Sequence, residues 1–180
     1  MSSCPATEPV VPLDRGRFVY DLERQAAALA PLAPAQLVVS CDDCGRAGAG
    51  WRRDLLAPLF LPTAGATVTG PGVREAIRFA VEELGVREVL VVSHSHCEQL
   101  LPAPARTAMA GGSFMDRLYG RMAHSSRQLD AARHHVRTAL GRLAGDPRLG
   151  DVALLGAVHL VESGVLLGYD PETDDYEAVA

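Results

Sequence analysis

The sequence predicts an α/β domain, a mainly parallel β-sheet core flanked by helices and preceded by an N-terminal helical arm. Three observations carry this prediction. Two short apolar runs, Leu37-Val38-Val39 and Val89-Leu90-Val91-Val92, are rich in β-branched residues, as strands buried on both faces of a parallel sheet are. Between them, residues 72–85 keep the spacing of an amphipathic helix. Each apolar run also ends in a cluster of thiol, imidazole and carboxylate side chains, at the strand end where open α/β sheets bind their ligands.

The elements can be taken in order. Residues 1–13 carry Pro5, Pro9 and Pro12 among small and polar residues and read as a disordered tail, in which Cys4 is an incidental thiol. A single domain is expected over 14–180. From Asp14, a candidate cap, to about Leu32 the residues Phe18, Leu22, Gln25 and Leu29 fall near one helical face, and Pro31 and Pro34 close the helix. A lone helix ahead of the first strand often packs on a partner subunit. The first strand, Gln36–Ser40, delivers Cys41. Gly45 to Gly50 form a glycine-rich loop, but without the GxGxxG spacing of a dinucleotide site.

Trp51–Leu56 read as a short helix and Leu59–Leu61 as a short strand that Pro62 limits. Thr63–Ala66 form a turn of small side chains. The helix 72–85 buries Val73, Ile77, Ala80, Val81 and Leu84, with Gly85 as its stop. The next strand, Glu88–Val92, delivers His94 and Cys97, which completes a βαβ unit. Pro102, Pro104, Gly111 and Gly112 mark a looser insertion. Phe114–Tyr119 read as a turn or two of helix, Ser126–Leu143 as a longer one that Asp146-Pro147 breaks, and Val152–Leu160 as a further strand. Val165–Gly168 and Tyr176–Val179 suggest a hairpin around Asp170–Thr173.

Composition narrows the function classes. The 180 residues carry a net charge of −5, mild enough that neither nucleic acid nor an anionic membrane is called for. No apolar run is long enough to span a bilayer, and the first residues lack the features of a signal peptide, so a cytoplasmic location is expected. All 17 basic residues other than histidine are arginine, which excludes a Schiff-base or P-loop lysine. In a cytosolic chain the four cysteines point to metal binding or reactivity rather than disulfides.

If the two strands lie side by side, Cys41, His94 and Cys97 converge, and two thiolates with an imidazole suit zinc with a fourth position left open for water. Asp42, Asp43, Cys44, His96 and Glu98 are further donors nearby. A closed structural site is the alternative, with Cys41-x-x-Cys44 joined by Cys97 and by His94 or His96. A CxxC redox pair of Cys41 and Cys44 without metal is a third reading.

Taken in order, these residues resemble the β-class carbonic anhydrases. Where that family carries Cys-x-Asp-Ser-Arg after a strand, this chain reads Cys41-Asp42-Asp43-Cys44-Gly45. Where it carries Gly-His-x-x-Cys-Gly, the chain reads Ser93-His94-Ser95-His96-Cys97-Glu98. Pro62-Thr63-Ala64-Gly65 matches the second half of its Arg-Asn-Ala-Gly. Leu84-Gly85-Val86 is similar to its lead into the second strand, and Gly156 to Leu166 is similar to its Gly-x-x-Tyr-Asp-x-x-Thr-Gly-x-Leu segment. The resemblance covers about Leu37 to Leu166.

It implies a zinc lyase, a homodimer or larger homo-oligomer, with one Zn2+ per chain on Cys41, His94 and Cys97. The reaction implied is reversible hydration of carbon dioxide to bicarbonate, or attack on a similar small linear electrophile, by water that zinc acidifies. Asp43 matches the family's aspartate, which pairs with an arginine and accepts a hydrogen bond from that water. The arginine is Gly45 here, so Arg46, one residue on, is the candidate to restore the pair. Without a partner, Asp43 is an anion beside a dication. Coordination by Asp43, or by Cys44, would then close the fourth position and leave a non-catalytic or regulatory zinc protein. His96 reads as a surface histidine or one packed behind the ligands. No role is expected for His124, His134, His135 or His159, and Arg46, Arg52 and Arg53 otherwise read as a solvated basic loop.

Overall fold

The computed structural model describes residues 17–29, 35–42, 58–100 and 114–179. In chain order they form α1 (Arg17–Leu29), β1 (Gln36–Cys41), β2 (Leu59–Thr63), α2 (Pro71–Glu82), β3 (Glu88–His94), α3 (Phe114–Ala144), β4 (Ala153–His159), β5 (Leu166–Asp170) and β6 (Asp175–Ala178). They make one six-stranded sheet in the order β2-β1-β3-β4-β5-β6. The first four strands are mutually parallel, and β5 and β6 turn back as an antiparallel hairpin. The expected α/β architecture with a mainly parallel sheet is what the chain adopts. No helix among the described residues is long and apolar enough to cross a membrane.

Alternation along the strands decides which side chains meet the helices. Leu37, Val39 and Cys41 of β1, Leu59 and Leu61 of β2, and Val89 and Val91 of β3 share one buried cluster with Leu22 of α1, Ile77 and Ala80 of α2, and Ala139 and Leu143 of α3. The intervening residues Val38, Leu90, Val92 and Ala157 pack on the opposite face with Phe60 and Leu166. After their first residues, β1 and β3 are buried at every position, which is why both read as unbroken apolar runs rather than alternating ones. Gly156 of β4 lets α3 come close. A Cβ there would lie 2.5 Å from Val136 Cγ1 and 2.7 Å from Leu140 Cδ1.

The structure differs from the sequence expectations in three places. First, α1 lies on its own sheet rather than reaching away from it. Val19 and Leu22 are buried in the main core, and the Gln25 amide clamps the backbone of Phe60, donating to its carbonyl (2.8 Å) and accepting from its N–H (2.6 Å). Second, Pro62 falls within β2 instead of ending it. In the described sheet β2 is an edge strand, where a residue without an N–H is tolerated. Third, the two helical segments expected at Phe114–Tyr119 and Ser126–Leu143 are one helix of 31 residues. The joining residues Gly120 to Ser125 contain no proline, and Arg, Met and Ala among them favour helix strongly enough to carry it past one glycine.

Turns close where the sequence places them. Gly85 takes φ +74°, and Val86 N–H bonds the carbonyl of Ala80 six residues back, a glycine-terminated helix end. After α3, Asp146 accepts from the Arg148 amide (3.2 Å) and from Arg78 of α2 (2.8 Å), with only 8% of its side chain exposed. Burial by itself would raise this carboxyl. The Arg148 amide and then Arg78 outweigh that and hold it below the usual carboxylate value. A carboxylate held low when folded stabilises the protein above its unfolded pKa, and that contribution is lost as pH falls through the folded value. Asp146→Asn is therefore expected to cost about 1 kcal/mol near neutral pH. In paired melting curves the wild-type advantage should shrink below about pH 4.

Candidate metal centre

The convergence of the candidate ligands comes from sheet register. Strands β1 and β3 are parallel neighbours, with Val39 opposite Val91 and Ser40 opposite Val92. Cys41 and His94 therefore leave the sheet at the same end. A tight turn, in which the Cys97 amide bonds the His94 carbonyl (3.3 Å), brings Cys97 back toward them. The ligand atoms of Cys41, His94 and Cys97 all lie within 4.8 Å of one another. All three residues are buried, the cysteines at 0% exposure and His94 at 4%.

The chemistry of this cluster fits a metal. Cys41 Sγ and Cys97 Sγ are 3.9 Å apart. Two thiolates on one zinc, each at ~2.3 Å with a tetrahedral angle between them, would stand about 3.8 Å apart. Neither ring nitrogen of His94 has a hydrogen-bond partner among the described residues, although both are buried. Leaving a buried imidazole so costs free energy unless something else takes the lone pair. The Cys97 thiol is pushed far up, first by its hydrogen bond with Cys41, then by burial, then by the charge Cys41 would carry. Two thiolates this close do not coexist without a compensating cation, and binding one would release the protons the thiols carry.

The residues around the three donors are held firmly. Ser95 N–H bonds the His159 carbonyl (2.9 Å). Ser95 Oγ donates to Glu162 Oε2 (2.8 Å) and accepts from the Val161 amide (3.1 Å). His96 Nε2 meets Glu162 Oε1 at 2.6 Å, and its Nδ1 faces Gln128 Oε1 of α3 at 3.3 Å. On the other side, Gln99 Nε2 donates to Asp42 Oδ1 (3.0 Å), and that oxygen lies 3.5 Å from Cys41 Sγ. The turn after β2 closes the site's flank with two left-handed residues, Gly65 (φ +64°) and Ala66 (φ +58°). A Cβ on Gly65 would press on Leu100 at 3.1 Å, and His135 of α3 holds the Ala66 carbonyl at 3.1 Å.

Of the residues singled out by sequence, Cys41, His94 and Cys97 come together. Asp43, Cys44, Gly45 and Arg46 lie outside the described residues, as do the helix expected at Trp51–Leu56 and the insertion around Pro102 and Pro104. Ser93, in place of the glycine of the related motif, sits in extended strand without positive φ, so the backbone there does not require glycine. His96 is a surface histidine, one of the two roles its sequence position allowed, with its ring on Glu162 and Gln128. Sequence reasoning missed two groups. His159, given no role, is 1% exposed and in register with His94, and its pKa is lowered by burial first and by His94 second, with Glu162 opposing. Glu162 fell within the segment Gly156 to Leu166 but was given no role, and its signal was its place just beyond the end of β4.

No protein-family model matches the chain, and no curated protein matches it in sequence. Solved structures do match in shape. The β-carbonic anhydrase CcaA superposes with a TM-score of 0.62 at 18% identity, covering 91% of this chain and 93% of that one. One of the tetrameric β-carbonic anhydrases of Sordaria macrospora gives 0.60 at 16% identity, covering 89% and 92%. The apo form of a carbon disulfide hydrolase gives 0.54 at 19%, covering 89% and 96%. The likeness is one of fold: this chain is a divergent instance of the β-carbonic anhydrase fold, which proteins named for two different reactions share.

Proposed function

We propose that the chain holds one zinc ion on Cys41, His94 and Cys97 and catalyses the reversible hydration of carbon dioxide to bicarbonate. The observation that carries this reading is the cluster itself, two cysteines at tetrahedral zinc spacing and an orphaned buried imidazole at adjoining strand ends. When bound, zinc with an open fourth position supplies a Lewis acid that lowers the pKa of a water to about 7. The chain's own residues do the rest. Asp43, two residues past Cys41, accepts a hydrogen bond from the attacking water and orients it. Arg46 takes the place of the missing arginine at Gly45 and holds the Asp43 carboxylate by a charge-assisted pair. A homodimer or larger homo-oligomer and a cytoplasmic location complete the reading.

The substitution at Gly45 favours a second reading. If Arg46 does not reach Asp43, then Asp43 or Cys44 takes the fourth position, and the protein binds zinc without turnover. Metal analysis and a carbon dioxide hydration assay from neutral to alkaline pH separate the two. One zinc per chain with a hydration rate that rises toward alkaline pH is the expected result. One zinc per chain with no hydration at any pH selects the closed, non-catalytic form. A chain that retains no zinc overturns both.

A further inference from the structure

His94 and Cys97 are joined by only two residues, and one carboxylate grips both of them. Glu162 Oε2 takes the Ser95 hydroxyl at 2.8 Å, and Glu162 Oε1 takes His96 Nε2 at 2.6 Å. We propose that Glu162 is a positioning residue for the metal centre, clamping the turn Ser95-His96 so that His94 and Cys97 are already aimed at one point before a metal arrives. The inference rests on the zinc site proposed above and deepens it.

Several contacts make this a clamp rather than a chance surface pair. Glu162 lies 67 residues from Ser95 and beyond the end of β4, so the contact ties the β3 turn to the β4–β5 connection. The Ser95 hydroxyl is held from two sides, donating to Glu162 while accepting from the Val161 amide (3.1 Å). Ser95 N–H adds a backbone bond to the His159 carbonyl at 2.9 Å. On the opposite side His96 Nδ1 meets Gln128, which is 3% exposed on α3. The turn is thus held from the sheet and from the helix at once. Groups that orient metal ligands typically contribute 10–100-fold to metal affinity.

The clamp is open to solvent, with His96 43% and Glu162 50% exposed in their side chains. Such a pair contributes little to global stability. A large effect on metal affinity with almost none on the fold is therefore the signature of positioning.

Zinc dissociation constants from chelator competition test the proposal, with wild type, Glu162→Ala and the closely sized Glu162→Gln compared. Glu162→Ala is expected to bind zinc roughly 10–100-fold more weakly. Glu162→Gln, which keeps a partner for Ser95 but loses the charge facing His96, should fall between it and wild type. In excess chelator the circular-dichroism spectra and melting midpoints of all three should coincide. Affinity of Glu162→Ala within about tenfold of wild type would overturn the proposal, since contacts that orient metal ligands typically contribute 10–100-fold. So would a loss of affinity matched by a parallel loss of fold in chelator. If wild type itself binds no zinc, the site reading fails and takes the clamp with it, an outcome distinct from wild type and variants binding equally.

Discussion

Replacing Cys41 with serine is expected to yield a folded chain that no longer retains zinc. The hydroxyl is nearly the size of the thiol but does not ionise near neutral pH, so the site loses one of two anionic donors while the β1 backbone is undisturbed. Because even a residue that only orients a ligand can cost 10–100-fold, loss of a ligand should weaken zinc binding by more than about 100-fold. Any carbon dioxide hydration should fall with it. Cys41 is fully buried beside Val39 and Leu61 in the main cluster, so the fold must be checked independently by circular dichroism. Unchanged zinc content in the folded Cys41→Ser protein would show that the metal, if any, sits elsewhere. The same experiment bears on the redox reading, because Cys41 is one half of that pair.

The second large effect is steric. Gly156→Val is expected to destabilise the protein by about 3 kcal/mol, the upper part of the range for overpacked cores. The β-carbon alone would enter the space of Val136 and Leu140, at 2.5 and 2.7 Å, and valine adds two methyl groups to it. Interior packing leaves no slack to absorb this, so α3 must lift away from β4. For a chain of this size the melting midpoint should drop by roughly 6–12 °C. Gly141, on the exposed side of the same helix, makes a matched control because a β-carbon there meets nothing within 4 Å. Gly141→Ala should raise stability by up to about 1 kcal/mol through helix propensity. Equal melting of Gly156→Val and wild type would mean that α3 does not sit on β4 at this point.

The residues behind these two predictions differ in how far sequence could reveal them. Cys41, His94 and Cys97 were legible because strands buried on both faces leave a distinctive apolar run, and the residues at the end of such a run face the ligand-binding edge of the sheet. The close approach at Gly156 was not, since it depends on where α3 crosses β4. Glu162 was hidden too, because its contacts lie 66–67 residues away in sequence and depend on how β4 ends beside β3. The seat of α1 escaped for a similar reason. Its apolar stripe says that it packs, while only the Gln25 clamp on Phe60 shows that it packs on its own sheet. The continuity of α3 escaped as well, because Gly120 to Ser125 between the two expected segments carry no apolar stripe of their own, although Arg, Met and Ala among them favour helix. Asp43, to which the proposed function gives the orienting of the water, lies outside the described residues.

The proline in β2 shapes the border of the sheet. An outer strand normally offers a ladder of unused amide donors along which another chain can dock and propagate. Phe60 turns its amide outward to Gln25, and Pro62, two residues on, shares that outward side by the alternation of a strand. One rung of the five-residue stretch Leu59–Thr63 is thus already occupied and the next has no donor to give. A chain approaching β2 would find no continuous pairing to make. This border is thereby guarded against the edge-on growth that seeds aggregates, and the guard costs no charged side chain next to the apolar core.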